Sequence, residues 1–359
     1  MAPAVLTRRT LMAGGAGLAA ALAAGCTAGS PPGTPAPVPG GSPAWTGPVE
    51  KVSVLTGAGF AGREAGLAAA KRLFFPQVGL DVTMVAGRGT NENLKLLRSG
   101  AATFATLDVS GAIMAKAKGG ADDFWLTCLL HRRNLACFMA LSGSGINAPA
   151  DLAGKKVSFV PGGINHLLFG AYAGLAGFPP GGVQWVQAGP VQADHAKLLA
   201  GRKVDAISQF VPAQVAVEQI TGRPVTVLPF TKVMGDIHGS AIAVTQQTAA
   251  SKPDLVRRFN EALLRGLRYA LDHPETAAQM FLELPQARTQ QKLAVEGEIK
   301  SLAGYVHLTT AEPSPAPFGH FDRTRLMQNI AILQGAGQIP AGFTPDQLVK
   351  FDLAGNPIT

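Results

Sequence analysis

A short apolar run that ends in glycines and passes directly into a small-residue helical pattern occurs twice in this chain. Val52 to Thr56 leads into Gly57-Ala58-Gly59, and Ala65 to Phe75 follows with helical character; Val157 to Val160 leads into Pro161-Gly162-Gly163 and a helix through Ala176. Strand, glycine turn and helix together form the unit of α/β architecture. The restart beyond residue 150 therefore predicts two α/β lobes rather than one sheet. Further strands are expected over Val82–Val85 and Thr103–Leu107, with a helix over Asn91–Arg98 closed by Gly100. In the second half, a helix closes over Leu198–Gly201 and a strand runs from Val204 to Ser208. Aligning Gly100 with Gly201 sets Leu97 on Leu198, Ala105 on Ala206 and Asp108 on Gln209, so each lobe presents a polar side chain just past a strand end. Leu255, Phe259, Leu263, Leu267 and Leu271 recur every fourth residue between Pro253 and Pro274, the pattern of an amphipathic helix. Helices broken by Pro313, Pro315 and Pro317 lead to a C-terminal segment expected to pack on the first lobe.

Ahead of these lobes the chain is of another kind. Arg8-Arg9 precedes an uncharged run of Ala, Leu and Gly that ends at Cys26. The run is shorter than the roughly 20 residues that span a bilayer, so residues 1–25 read as a cleaved export signal. The paired arginines resemble a twin-arginine (Tat) signal, and Ala23-Ala24-Gly25-Cys26 resembles the lipobox of bacterial lipoproteins, which makes Cys26 the expected lipidation site. Residues 27–48 are rich in Pro, Gly, Ser and Ala and carry no charge. Residues 26–48 thus read as a lipidated tether with a reach of up to about 65 Å, at roughly 3 Å per residue for a Pro-rich chain. The expected location is extracytoplasmic, with the protein anchored to the cell membrane.

From residue 49 about 310 residues remain, enough for two lobes, each with its own core. The formal charge is +8, or +6 once Arg8 and Arg9 leave with the signal, which weakly favours anionic ligands. No basic run interleaved with aromatics occurs, so nucleic acid is not an expected partner. Three cysteines are too few for a disulfide scaffold. If Arg132-Arg133 formed a two-residue turn between paired strands, Cys128 would stand opposite Cys137, and the two could pair in an oxidising compartment; two buried free thiols are the alternative. The seven histidines include no H-E-x-x-H and no pair at helical ligand spacing, so no metal is expected. No G-x-S-x-G elbow is present.

Gly57-Ala58-Gly59-Phe60-Ala61-Gly62 is a literal G-x-G-x-x-G after a strand and before a helix. In a dinucleotide fold such glycines admit a pyrophosphate, and an acid about 20 residues on takes the ribose. The next strand instead runs into Ala86-Gly87-Arg88-Gly89, where Arg88 would suit a 2′-phosphate. An exported NADP-dependent oxidoreductase is therefore one reading. The other is a binding cleft without bond chemistry, built from strand ends and helix N-termini of both lobes. Its candidate residues are Thr56, Phe60, Arg88, Thr90, Asn91 and Asp108 in the first lobe and Gly162, Asn165, His166, Gln209 and Phe210 in the second, with His238 near the return crossing.

The order and spacing of several short stretches resemble a known family. These are Gly79-Leu80-Asp81-Val82, Leu97-Arg98-Ser99-Gly100 with Phe104 and Asp108, and Gly145-Ile146 followed by Asp151 to Val157. Leu199 to Ala206 and Pro253 with its helix complete the set. From about Lys51 to Leu271 the chain resembles the substrate-binding proteins of ABC importers that share the SsuA/THI5 (NMT1-like) domain. That resemblance implies a type II bilobal periplasmic-binding-protein fold of the α/β class, with two lobes joined by a two-strand hinge. The crossings would lie near Ala140–Ser142 and Ile237–Ala241, giving lobe I over 49–141 plus 238–359 and lobe II over 142–237. It further implies a monomer that needs no cofactor, captures a small solute by lobe closure and delivers it to an ABC permease in the same membrane. Known members bind taurine, aliphatic sulfonates, nitrate-like anions or thiamine pyrimidine precursors. One branch is a pyrimidine synthase; this chain departs from it, with Thr56 to Phe60 in place of the expected Trp-x-Pro-Asn-like stretch and Glu64 about where a histidine is expected.

Overall fold

The computed structural model describes residues 45–119, 123–306 and 319–354. The expected export signal, Cys26, the expected tether up to residue 44 and the prolines at 313, 315 and 317 lie outside the described residues. In chain order the strands are β1 (Glu50–Leu55), β2 (Ala58–Gly59), β3 (Leu80–Val85), β4 (Gly87–Arg88), β5 (Phe104–Asp108), β6 (Phe124–Leu129), β7 (Ala136–Leu141), β8 (Lys156–Phe159), β9 (Gln184–Gln187), β10 (Ala206–Phe210), β11 (Val225–Pro229) and β12 (Ser240–Thr245).

Ten of these build two five-stranded sheets. The first has the order β3-β1-β5-β12-β6 and the second β11-β7-β10-β8-β9. β1 runs parallel to β3 and β5, while β12 returns antiparallel between β5 and β6. In the second sheet β8 is parallel to β10 and β9, and β7 is antiparallel to β10 and β11. Position in the sheet explains composition. The edge strand β3 alternates buried Leu80, Val82 and Met84 with exposed Asp81, Thr83 and Val85. β5 and β7, covered on both faces, are buried throughout.

The correspondence between Asp108 and Gln209 is visible in three dimensions. Each follows a helix (Thr90–Arg98; Gln192–Ala200), lies in an inner strand and stands at the carboxyl end of β5 or β10. The helix Pro253–Asp272 buries Leu255, Phe259, Leu263 and Leu267 as its spacing predicts. Phe259 stacks on Phe104 at 3.7 Å between ring centroids and on Phe75 at 5.0 Å. This helix also packs against Ala65–Ala69 through Gly66 and Gly266. A methyl on Gly266 would stand 2.4 Å from the Gly66 carbonyl oxygen, so the contact is backbone to backbone.

Two expectations are corrected. The first crossing was expected near Ala140–Ser142, and a turn at Arg132-Arg133 between paired strands was one of two readings of the cysteines, but β6 and β7 belong to different sheets. The crossing therefore lies within 130–135. β7 reads Ala-Cys-Phe-Met-Ala-Leu, and a fully buried strand of this kind carries no mark of the sheet it joins. The postulated Cys128–Cys137 disulfide falls with that turn. Cys128 pairs with Ile242 of β12 and Cys137 with Gln209 and Pro229, and both are buried free thiols. The C-terminal segment follows the edge of β6, where Leu126 N–H donates to Leu348 O and Lys350 N–H to Leu126 O. The helix Lys292–Val306 was not foreseen as a bridge. It reaches the first lobe at Gly62–Glu64 and the second at Val211–Thr221.

Candidate functional site

The carboxyl ends of β5 and β10 face a common cavity of about 90 Å³. From the first lobe it is lined by Gly57, Ala58, Arg63, Glu64, Gly89, Thr90, Thr106 and Asp108, and from the second by Val160, Gly163, Ile164, Asn165, His166, Pro190, Gln192, His195, Ser208, Gln209 and Phe210. Leu130, His131, Leu135, Ser240 and Ile242, at or beside the two crossings, form part of its wall. Of the candidates, Thr90, Asp108, Asn165, His166, Gln209 and Phe210 are thus brought together. Phe60 and Arg88 instead line a larger outer groove with Gln192, Lys197, Gln290 and Glu298. At the mouth the lobes nearly touch. A methyl on Gly162 would stand 3.3 Å from Asn91 Cβ, and one on Gly59 would stand 3.1 Å from the Pro190 carbonyl.

Thr56 and His238 serve elsewhere. Thr56 Oγ1 donates to Gly59 O (2.6 Å) and accepts from Gly87 N–H (2.9 Å). Asn93, absent from the sequence reading, completes this knot: Nδ2 donates to the carbonyls of Thr56 (2.7 Å), Gly57 (3.1 Å) and Thr106 (3.0 Å), and Oδ1 accepts from Arg88 N–H (2.9 Å). The knot fixes both glycine loops of the first lobe. Gly87 leaves it no slack, since an added Cβ would stand 1.8 Å from Thr56 O. Gly87→Ala is therefore expected to cost at least about 3 kcal/mol, the upper end of ordinary overpacking; urea denaturation checks this. His238 is buried in the second crossing with its ring 6.3 Å from Phe321, and it does not line the cavity.

The glycine motif does not hold an anion-binding helix terminus open. Gly62 is pressed against the helix Lys292–Val306, with Glu298 Cβ 2.8 Å and Val295 O 2.9 Å from where its Cβ would be. Gly59 takes φ +64° opposite Pro190. Gly62 and Gly59 are thus explained by packing and by the cleft mouth, which does not favour the dinucleotide reading.

The charged centre is Arg63, a residue the sequence reading passed over. It is buried, its Nε lies 3.4 Å from Glu64 Oε1, and its guanidinium lies 4.7 Å from the centroid of the Phe210 ring across the cleft. It also donates to Ala58 O, and its backbone N–H donates to Glu298 Oε2 (3.2 Å). Burial raises the carboxyls of Glu64 and Glu298 above their ordinary range, and Arg63 partly offsets this in both. Asp108 is raised to about 7 by burial, against the hydrogen bonds it accepts from Gly111, Asn134 and Ser110. His131 is lowered to about 3 by burial and then by Arg63, so it is neutral at pH 7.

Which side chains have hydrogen-bonding capacity left decides what the cavity can hold. His195 has none, because its Nε2–H donates to Gly189 O (2.9 Å) and Ser158 donates to its Nδ1 (2.7 Å). Asn165 Nδ2 is committed to the carbonyls of Cys137 and Gln209. By contrast, Arg63 Nη1, His131 Nδ1, Gln192 Nε2, Ser208 Oγ and Gln209 Oε1 are buried and bond no protein group. All five residues line the cavity, whose walls are otherwise largely apolar. A local signal for Arg63 was present: Arg63-Glu64 is a charge pair ahead of the small apolar run Ala65 to Ala70. Among the described residues, no group of three His, Cys, Asp or Glu side chains could hold a metal, and no helix is long and apolar enough to cross a membrane.

Two α/β lobes, two crossings and a polar cavity between the strand ends define a periplasmic-binding-protein fold. The chain belongs to the NMT1/THI5-like family, whose profile matches residues 65–277. Among solved structures it is similar to the aliphatic sulphonate binding protein SsuA of Escherichia coli, at 17% identity, covering 86% of this chain and 92% of that one, with a TM-score of 0.61. The nitrate-binding protein NrtA of Synechocystis is similar at 13% identity, covering 85% of this chain and 87% of that one, with a TM-score of 0.61. A Candida albicans protein described as having the generic periplasmic binding protein fold matches at 14% identity, covering 84% and 97%, with a TM-score of 0.63. No curated protein sequence matches the chain.

Proposed function

We propose that this protein is an extracytoplasmic solute-binding lipoprotein that captures a small polar molecule between its lobes and hands it to an ABC permease. The observation that carries the proposal is that five residues keeping an unpartnered buried polar atom, Arg63, His131, Gln192, Ser208 and Gln209, line one cavity between the lobes. A cavity of about 90 Å³ suits a small solute such as taurine. An anionic head, as in a sulfonate or nitrate, would take Arg63 Nη1 and the Ser208 hydroxyl. A short apolar body would lie against Leu67, Ile164 and Ile242. Glu64 and Asp108 stand in the same wall, so an added ammonium group, as in an aminosulfonate, balances the buried charge better than a bare anion does. Asp108 gives a thiamine pyrimidine precursor a weaker claim, as an acceptor for a ring amine. Binding, closure and release would involve no bond chemistry.

Export through the twin arginines, lipidation at Cys26 and a tether to residue 48 would keep the capture domain near its permease. Mass measurement of membrane-extracted protein tests this part: an intact residue 1 or an unmodified Cys26 contradicts it. The capture role is tested by thermal shift against taurine, alkanesulfonates, nitrate, aminopyrimidines and NADPH. A true ligand at a hundred times its Kd adds about 2.7 kcal/mol and raises Tm measurably. Stabilisation by NADPH would restore the oxidoreductase reading, and no stabilisation by any small molecule would overturn the capture role.

A further inference from the structure

One pair of side chains links the cavity wall to both crossings at once. Asp108 lines the cavity, and its carboxylate is spoken for on the protein side. Oδ1 accepts from the N–H groups of Ser110 (2.9 Å) and Gly111 (3.3 Å), and Oδ2 accepts from Asn134 Nδ2 (2.7 Å). Asn134 lies fully buried in the first crossing. Its Nδ2 also donates to His238 O in the second crossing (3.2 Å), and its Oδ1 accepts from Ala136 N–H at the start of β7 (2.8 Å). Its own N–H donates to Ile237 O (2.8 Å). One amide therefore joins the cavity wall of the first lobe, both crossings and the first strand of the second lobe. The crossings are pressed together beside it: a methyl on Gly239 would stand 2.7 Å from Arg133 O and 2.8 Å from His131 Cβ.

We infer that Asn134 is a positioning residue that sets the angle between the lobes according to what Asp108 meets in the cavity. The inference rests on the capture reading above. Nδ2 has two hydrogens, one held by Asp108 and one by His238 O. A solute donor that engages Asp108 Oδ2 competes with the first of them for that oxygen. Any shift of the amide is shared by both crossings, and these are the segments whose φ and ψ must change when rigid lobes rotate. Without the amide, Asp108 Oδ2, His238 O and Ala136 N–H are buried without this partner. Opening the hinge lets water reach them, so the open state gains.

The test is pulsed electron spin resonance on the full chain carrying C26S, with spin labels at the exposed positions T83C and K156C, one on each lobe. Cys128 and Cys137 are buried and should stay unlabelled. N134A is expected to lengthen and broaden the distance distribution between the lobes. The exchange D108N/N134D, in which amide and carboxylate change places, is expected to return it towards the parent. Melting temperature falls in a merely structural role too, so the distribution is the readout. A folded N134A with the parent's distribution, or an exchange variant no closer to the parent than N134A, overturns the inference. If N134A does not fold, N134S replaces it; its shorter hydroxyl cannot span the same partners, an intermediate distribution is expected, and an unchanged one overturns the inference. The ligand screen uses the unmodified chain, so its failure and this one are distinguishable.

Discussion

Arg63→Met is expected to lower the unfolding free energy by about 3–5 kcal/mol near neutral pH, the usual cost of removing one partner from a buried ion pair. The arginine is buried beside Glu64, and Glu298 reaches its backbone N–H from the helix that bridges the lobes. Methionine fills much of the volume against Phe210, so the loss isolates charge rather than packing. The effect should depend on pH in a definite direction. Both glutamates already hold their protons more tightly folded than unfolded, and without Arg63 they hold them more tightly still. A carboxyl whose folded pKa is raised contributes stability that is present below its unfolded pKa and is lost as pH rises through the folded one. The penalty should therefore be larger at pH 8 than at pH 5. Urea denaturation at both values checks this, and an equal penalty at the two would contradict it. Arg63→Lys keeps the charge but loses the planar contact with Phe210 and should cost less.

Acidification should weaken the fold through His238 and His131, with the sign opposite to that of the glutamates. His238 is lowered to about 4 by burial first, then by Arg325 and Arg132, and His131 to about 3. A histidine with a depressed folded pKa contributes stability that is present above its unfolded pKa, near 6.5, and lost as pH falls towards the folded value. Between pH 7 and pH 4 each should give up roughly 3 kcal/mol, at about 1.4 kcal/mol per pH unit. Asp108 opposes them, because its pKa of about 7 makes the folded state gain stability as pH falls through the same window. The net profile mixes these terms, so the sharp measurement is comparative. Relative to the parent, His238→Gln should gain roughly 3 kcal/mol on going from pH 7 to pH 4. A constant difference across that range would show that His238 is not the titrating group.

Much of the fold was legible because it rests on local chemistry. The helix from Pro253, the strand-to-glycine-to-helix units at Val52 and Val157, and the matched ends at Asp108 and Gln209 all follow from periodicity and turn residues. Six of the candidate residues meet at the cavity, since polar groups at strand ends and helix starts of both lobes line it. Thr56 read as a ligand group because a threonine at a strand end looks the same whether it faces solute or ties a loop; only its bonds to Gly59 and Gly87 distinguish the two. Arg88 and Phe60 were placed on the right loops but face the outer groove. Arg63, His131, His195 and Ser208 were missed because each owes its place to contacts with elements far away in sequence.

The sequence alone determined the class of architecture, two α/β lobes, because strand, turn and helix propensities act over a few residues. It also contained the whole glycine motif, but not the reason for it. Tertiary structure decided that reason: Gly62 is spent on the helix Lys292–Val306 and Gly59 on the cleft mouth, not on a phosphate. It also decided which sheet β7 joins, where the crossings lie and why Cys128 and Cys137 stay apart, since a buried apolar strand fits either sheet until its partners are chosen. The charge balance around Arg63 was decided in the same way. Burial and neighbours set whether a carboxyl or imidazole is charged, and both are properties of the assembled lobes rather than of any one segment.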